Sequence, residues 1–294
     1  MTDLPKDFRW SRRGVIRGAA AVVASGALSS LTSSAQAAVP FASERLAVIT
    51  RGERGPRGRD ILLIPGLASG PAIWSSLVTR LAGHRLHLVH VSGFAKRPAG
   101  ANATGPLLNP LVAELARYVA AEGLRAPVII GHSMGGTLGL MLALRADVRA
   151  AQLMVVDMLP DGSAMLGGTA QGYGYLATQL NGYLTGTKAG RQMLADMVRQ
   201  TPGGRDSDPR VIAQALTELA QADLAARLRS LACPLTVVPA LPGRSDLDNA
   251  QLRRYRAAYA GVKQLTVAGI GPSGHQVMLD QPEKFAEAVR KFLV

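Results

Sequence analysis

Two kinds of hydrophobic pattern alternate along this chain. Short, mainly apolar runs fall at 46–50, 61–64, 86–91, 128–130, 153–156, 235–238 and 264–267. Runs of this length, with no in–out alternation, predict strands buried on both faces of a sheet. Between them, apolar positions recur every three or four residues, which predicts helices at 72–81, 107–122, 134–146, 249–260 and 282–293. Strand alternating with helix predicts an α/β fold, a mostly parallel central sheet with helices on both faces. The rhythm breaks once, between about 159 and 232. That insertion opens on a weakly patterned piece containing Gly167, Gly168, Gly172, Tyr173, Gly174, Tyr175 and Tyr183, and continues through helix-like stretches at 191–200 and 211–231. Segments this long either form a lid or binding element or simply cross the surface. A helical cap inserted before the strand at 235–238 is expected.

The run at 128–130 ends on Gly131-His132-Ser133-Met134-Gly135-Gly136, and small and apolar residues follow. An apolar strand, Gly-x-Ser-x-Gly and a helix in succession read as a nucleophile elbow, a tight turn that lifts a serine hydroxyl out of the sheet. Gly131 and Gly135 lack the Cβ that would collide where strand and helix pass closely. Ser133 is therefore the expected nucleophile. The backbone N–H of Met134, at the helix N-terminus, is an expected donor to negative charge developing on the substrate.

Composition narrows the function class. With 48% hydrophobic residues over 294, the chain can bury a large core, and disorder is excluded. The single cysteine, Cys233, precludes an intrachain disulfide and reads as a buried, inert thiol. No Cys/His cluster has metal-ligand spacing, so no metal site is expected. His84, His87 and His90 are spaced by three and do not share one face of a strand. His132, beside the nucleophile, is expected to pack beneath the turn rather than act as base.

Residues 1–37 read as an export signal rather than part of the fold. Ser11-Arg12-Arg13-Gly14-Val15-Ile16-Arg17 is similar to a twin-arginine motif, a weakly apolar stretch follows, and Ala35-Gln36-Ala37 fits a cleavage site. A retained anchor or a cytosolic tail is the alternative. The expectation is passage through the twin-arginine machinery to the periplasm or outside, leaving a domain at 38–294. The formal net charge of +13 is partly carried by Lys6, Arg9, Arg12, Arg13 and Arg17 of that signal. With few aromatics and mostly scattered arginines, no nucleic-acid partner is expected; Arg51, Arg54, Arg57 and Arg59 read as a solvated turn.

From about 46 to 294, interrupted by the insertion, the chain resembles the α/β-hydrolase superfamily. The resemblance rests on the elbow and on three further segments. Leu62-Leu63-Ile64-Pro65-Gly66-Leu67 is similar to the family's oxyanion loop, with Pro65-Gly66 in place of the usual His-Gly. Leu235–Val238 followed by Gly243-Arg244-Ser245-Asp246 looks like the strand and loop that carry the catalytic acid. Gly274-His275-Gln276-Val277 is similar to the histidine loop. The resemblance implies His275 as general base, Asp246 as the carboxylate behind it, and Leu67 N–H as the second oxyanion donor. Asp157, which ends the strand at 153–156, is the rival acid. Asp248 reads instead as part of a capping box. An acidic turn common in the family is missing from Val91-Ser92-Gly93-Phe94-Ala95-Lys96-Arg97-Pro98. A serine at the elbow also disfavours dehalogenase and epoxide-hydrolase chemistry.

The expected function is that of a secreted serine hydrolase, cleaving small carboxylic esters or lactones through an acyl-serine without a cofactor. Amide or carbon–carbon bond hydrolysis by the same triad stays open, as does a non-catalytic binding protein of this fold. The acyl and alcohol parts of the substrate and the oligomeric state are not legible.

Overall fold

The computed structural model describes residues 41–162, 164, 187–199 and 203–294. The expected signal and the Gly- and Tyr-bearing opening of the insertion lie outside the described residues. Seven strands form one sheet in the order β1-β3-β2-β4-β5-β6-β7. They are β1 (Leu46–Arg51), β2 (Asp60–Ile64), β3 (Arg85–Val91), β4 (Val128–His132), β5 (Gln152–Val156), β6 (Leu235–Val238) and β7 (Leu265–Val267). β1 runs antiparallel to β3 and every other pairing is parallel.

The uninterrupted apolar runs exist because successive side chains enter different cores. Leu62, Ile64, Ile129, Leu153 and Val155 are buried on one face. Ile61, Leu63, Ile130, Met154 and Val156 are buried on the other. The first face is covered by α2 (Leu108–Ala121), α3 (Met134–Ala143) and α6 (Ser245–Ala258), the second by α1 (Ser75–Val78) and α8 (Pro282–Leu293). The helix expected at 72–81 is much shorter: a 3₁₀ turn at Pro71–Trp74 leads into the four residues of α1. Its hydroxyls compete with a regular ladder, Ser75 Oγ donating to Ala72 O at 2.7 Å and Thr79 Oγ1 to Ser76 O at 3.0 Å.

Within the insertion, α4 (Lys188–Arg199) and α5 (Pro209–Gln221) are described. The helix-like stretch at 211–231 divides, because α5 stops at Gln221 and a 3₁₀ turn follows at Ala225–Ser230. α5 buries Val211, Ile212, Ala215, Leu216 and Leu219 in the first core. It also caps a neighbour: the Glu218 carboxylate accepts from Leu107 N at 2.7 Å and Leu108 N at 2.8 Å, at the positive end of α2. This part of the insertion is thus built into the domain core.

Candidate active site

Ser133 sits between β4 and α3 with φ 53° and ψ −122°, a left-handed conformation costing a non-glycine residue about 1–3 kcal/mol. Neighbouring bonds hold it there. Ser133 N donates to Val156 O on β5 at 2.9 Å, and Gly136 N donates to Ser133 O at 2.7 Å. The flanking glycines permit the crossing: a Cβ on Gly131 would lie 2.1 Å from Gly135 O, and one on Gly135 would lie 2.1 Å from Ile64 O. Fixed this way, Ser133 is half-buried at the carboxyl end of the sheet.

His275 lies in the loop between β7 and α7 (Val277–Asp280). The loop is pinned from within by the Asp280 carboxylate, which accepts from Gly274 N at 2.8 Å and Ser273 Oγ at 3.2 Å. It is pinned from the sheet by His132, whose Nε2–H donates to His275 O at 2.9 Å. The two imidazoles stand 4.7 Å apart, centroid to centroid. Complete burial, and then the nearby charge of His275, push the His132 pKa down to about 3. His132 is therefore a neutral brace beneath the turn.

The carboxylate behind His275 is Asp157, not Asp246. His275 Nδ1 lies 2.7 Å from Asp157 Oδ2, and the Asp157 side chain is only 6% exposed. Its other oxygen accepts from Ala240 N at 2.9 Å and from Tyr255 Oη at 2.9 Å. Asp157 adopts φ 47° directly after β5, while its N–H continues the ladder to Val238 O. Asp246 instead lies in the first turn of α6, 69% exposed, with Arg244 3.9 Å away. The helix begins at Ser245, three residues after Pro242, and turns that side chain to solvent. Asp248 does not open the helix as expected but lies in its first turn, its carboxylate accepting from Gly243 N and Arg244 N ahead of it. A consequence is that the insertion follows the acid-bearing strand rather than preceding it.

The loop after β2 abuts the elbow. A Cβ on Gly66 would lie 3.1 Å from Ser133 Cβ and 2.8 Å from His132 Nδ1. Among the described residues, neither Leu67 N nor Met134 N is bonded to a protein acceptor, so both donors remain available beside Ser133. The insertion ties into this loop and into the one that follows β3. Ser207 Oγ accepts from Ala95 N at 3.0 Å and lies 3.4 Å from Ala68 O, and Asp208 N donates to Gly93 O at 2.7 Å. The acid side of the Ser133–His275–Asp157 arrangement is assembled. The serine–imidazole hydrogen bond is not formed among the described residues, and bonds of this kind commonly tighten only when substrate binds.

The remaining histidines have separate partners. His84 Nδ1 accepts from Arg59 N, His87 bridges Tyr118 and Asp60, and His90 Nε2–H donates to Phe94 O. Among the described residues no three metal-ligating side chains gather. Cys233 is buried, and desolvation pushes its thiol up to about 11. Sequence reasoning missed Tyr255 and the Ala240 N–H. Tyr255 and Tyr259 stand four apart in an otherwise Arg-rich helix, and that spacing was the available signal.

A family model described as the alpha/beta hydrolase family matches residues 61–288. The pimeloyl-[acyl-carrier protein] methyl ester esterase of Pectobacterium atrosepticum is 33% identical over 111 residues, 37% of this chain and 41% of that protein. The chain thus matches under half the length of this relative. Among solved structures, a proline iminopeptidase from Mycobacterium smegmatis superposes with TM-score 0.64 at 16% identity, covering 87% of this chain and 96% of its own. The enol-lactonase from Burkholderia xenovorans LB400 does so with TM-score 0.58 at 18% identity, covering 84% and 96%. At these identities the superpositions report a shared fold.

Proposed function

The chain belongs to the alpha/beta hydrolase family, and we propose that it works as a serine hydrolase cleaving carboxylic esters or lactones through an acyl-serine intermediate. The observation that carries this reading is the 2.7 Å bond between His275 Nδ1 and buried Asp157, on a histidine loop anchored to the turn that presents Ser133. In the proposed reaction Ser133 Oγ attacks the substrate carbonyl as His275 Nε2 takes its proton. Asp157 holds the imidazole in the tautomer with Nδ1 protonated and stabilises the imidazolium. The tetrahedral oxyanion accepts from Met134 N–H and Leu67 N–H. Collapse expels the alcohol, which receives the proton from His275, and water then releases the acid by the same steps in reverse. The relay itself uses no cofactor.

The name of the Pectobacterium relative, a methyl ester esterase, supports the ester reading. The contact of Ser207 with Ala68, in the loop that abuts Ser133, and the bonds of Ser207 and Asp208 to the loop after β3 support a role for the insertion in bordering the acyl pocket. Export through the twin-arginine machinery is part of the same proposal, resting on Arg12, Arg13 and the Ala35-Gln36-Ala37 site. The test is hydrolysis of p-nitrophenyl esters of graded chain length and of simple lactones by the purified protein. We expect turnover that Ser133→Ala reduces to background. Equal, slow hydrolysis by both proteins across the panel overturns the proposal.

A further inference from the structure

The relay as described ends at Asp157, but the geometry points to one more participant. We propose that Tyr255 is a positioning residue for the reaction, its phenol fixing and partly neutralising the Asp157 carboxylate. This rests on the serine-hydrolase reading above.

Tyr255 is fully buried on α6, and its hydroxyl donates to Asp157 Oδ1 at 2.9 Å, while Oδ2 faces His275. With Ala240 N–H also on Oδ1, the carboxylate is held by two donors on one oxygen and presents the other to the imidazole. That arrangement does two things. It fixes the rotation of a carboxylate whose backbone is itself in a left-handed conformation. It also spreads charge away from Oδ2, so the grip of Asp157 on the imidazolium is tempered. Among the described residues the charged and titratable groups around the carboxylate are His275 on its loop, His132 at the end of β4, Tyr255 and Arg254 on α6, and Tyr259 at that helix's C-cap. Tyr259 does not touch the carboxylate and donates to Met158 O at 2.8 Å. Burial and then the Asp157 charge raise the pKa of Tyr255, so it stays a neutral donor throughout the working range.

Tyr255→Phe removes one oxygen and leaves the ring. The carboxylate is then held through Oδ1 by Ala240 N–H alone and loses the second donor that fixes its rotation toward the imidazole. The expected result for the full chain on a p-nitrophenyl ester is a kcat about 10-fold lower and little change in KM. The acidic limb of the kcat/KM profile should also differ from that of the wild type. Tyr259→Phe, which loses a buried hydrogen bond at the C-cap of the same helix, is expected to lower Tm without moving that limb. An active wild type whose pH profile and kcat are unchanged in Tyr255→Phe overturns the inference and leaves the serine reading intact. So does an equal shift in both tyrosine variants, which would mark the effect as merely structural. A wild type inactive on every ester overturns the serine reading and this inference with it.

Discussion

Replacing Asp157 by asparagine should disable the protein for a reason visible atom by atom. In the wild type Oδ1 accepts from Ala240 N–H and Tyr255 O–H, and Oδ2 accepts from His275 Nδ1–H. In Asp157→Asn the amide oxygen must keep the Oδ1 place, because both groups facing it are donors. The NH₂ then faces His275 Nδ1, which becomes an acceptor, and the ring proton moves to Nε2. That is the tautomer that cannot take a proton from Ser133. The imidazolium also loses its counter-charge. Serine hydrolases altered in this way lose about 10⁴ in kcat, or about 5 kcal/mol of transition-state stabilisation. Asp246→Asn, at an exposed carboxylate 3.9 Å from Arg244, should change kcat less than twofold. The assay is kcat on p-nitrophenyl acetate for both variants, with circular dichroism to verify folding. A folded Asp157→Asn protein with more than a tenth of wild-type activity would refute the reasoning. So would a large loss in Asp246→Asn.

Three further outcomes are expected. Gly135→Ala would put a Cβ 2.1 Å from the Ile64 carbonyl, backbone that cannot step aside, so a loss of at least about 3 kcal/mol is expected in urea unfolding; a near-wild-type midpoint contradicts the packing. His132, fully buried with its pKa depressed to about 3, stays neutral when folded but protonates when unfolded. Stability should therefore fall as pH drops below about 6.5 and keep falling toward 3, by up to about 1.4 kcal/mol per pH unit from this group. Unfolding free energies at pH 7, 6 and 5 check this, and an equally steep fall in His132→Gln would contradict it. Glu218→Ala removes the acceptor for Leu107 N and Leu108 N and should cost about 1–2 kcal/mol; a Tm unchanged from wild type argues against that cap.

What could be read from the chain is what depends on neighbours in sequence. The strands are visible as short, mainly apolar runs, and in the central ones, β2, β4 and β5, alternate residues enter opposite cores. The elbow is visible because a glycine on either side of Ser133 is a local steric demand. The partner of His275 depends instead on strand order. Asp157 and Asp246 each follow an apolar strand, and only the adjacency of β5 to β4 on one side and β6 on the other sets the end of β5 beside the elbow. Local chemistry then decides against Asp246, since a helix starting at Ser245 sends its first-turn side chains outward. Its reading as the acid failed because resemblance assigned it to a loop, where the fold builds a helix. Tyr255 was hidden for a similar reason. Arg253, Arg254 and Arg256 mark a wet face, and which groups meet the opposite face is set by packing.

The central claim is that one serine of this chain is made nucleophilic by the His275–Asp157 pair. Fluorophosphonate labelling followed by peptide mapping tests it most directly, because only an activated serine reacts. The prediction is a single adduct on Ser133 in the wild type, absent in Ser133→Ala and strongly slowed in His275→Ala and Asp157→Asn. No adduct on folded wild-type protein, or an adduct on Ser133 that forms equally fast without His275, would contradict it.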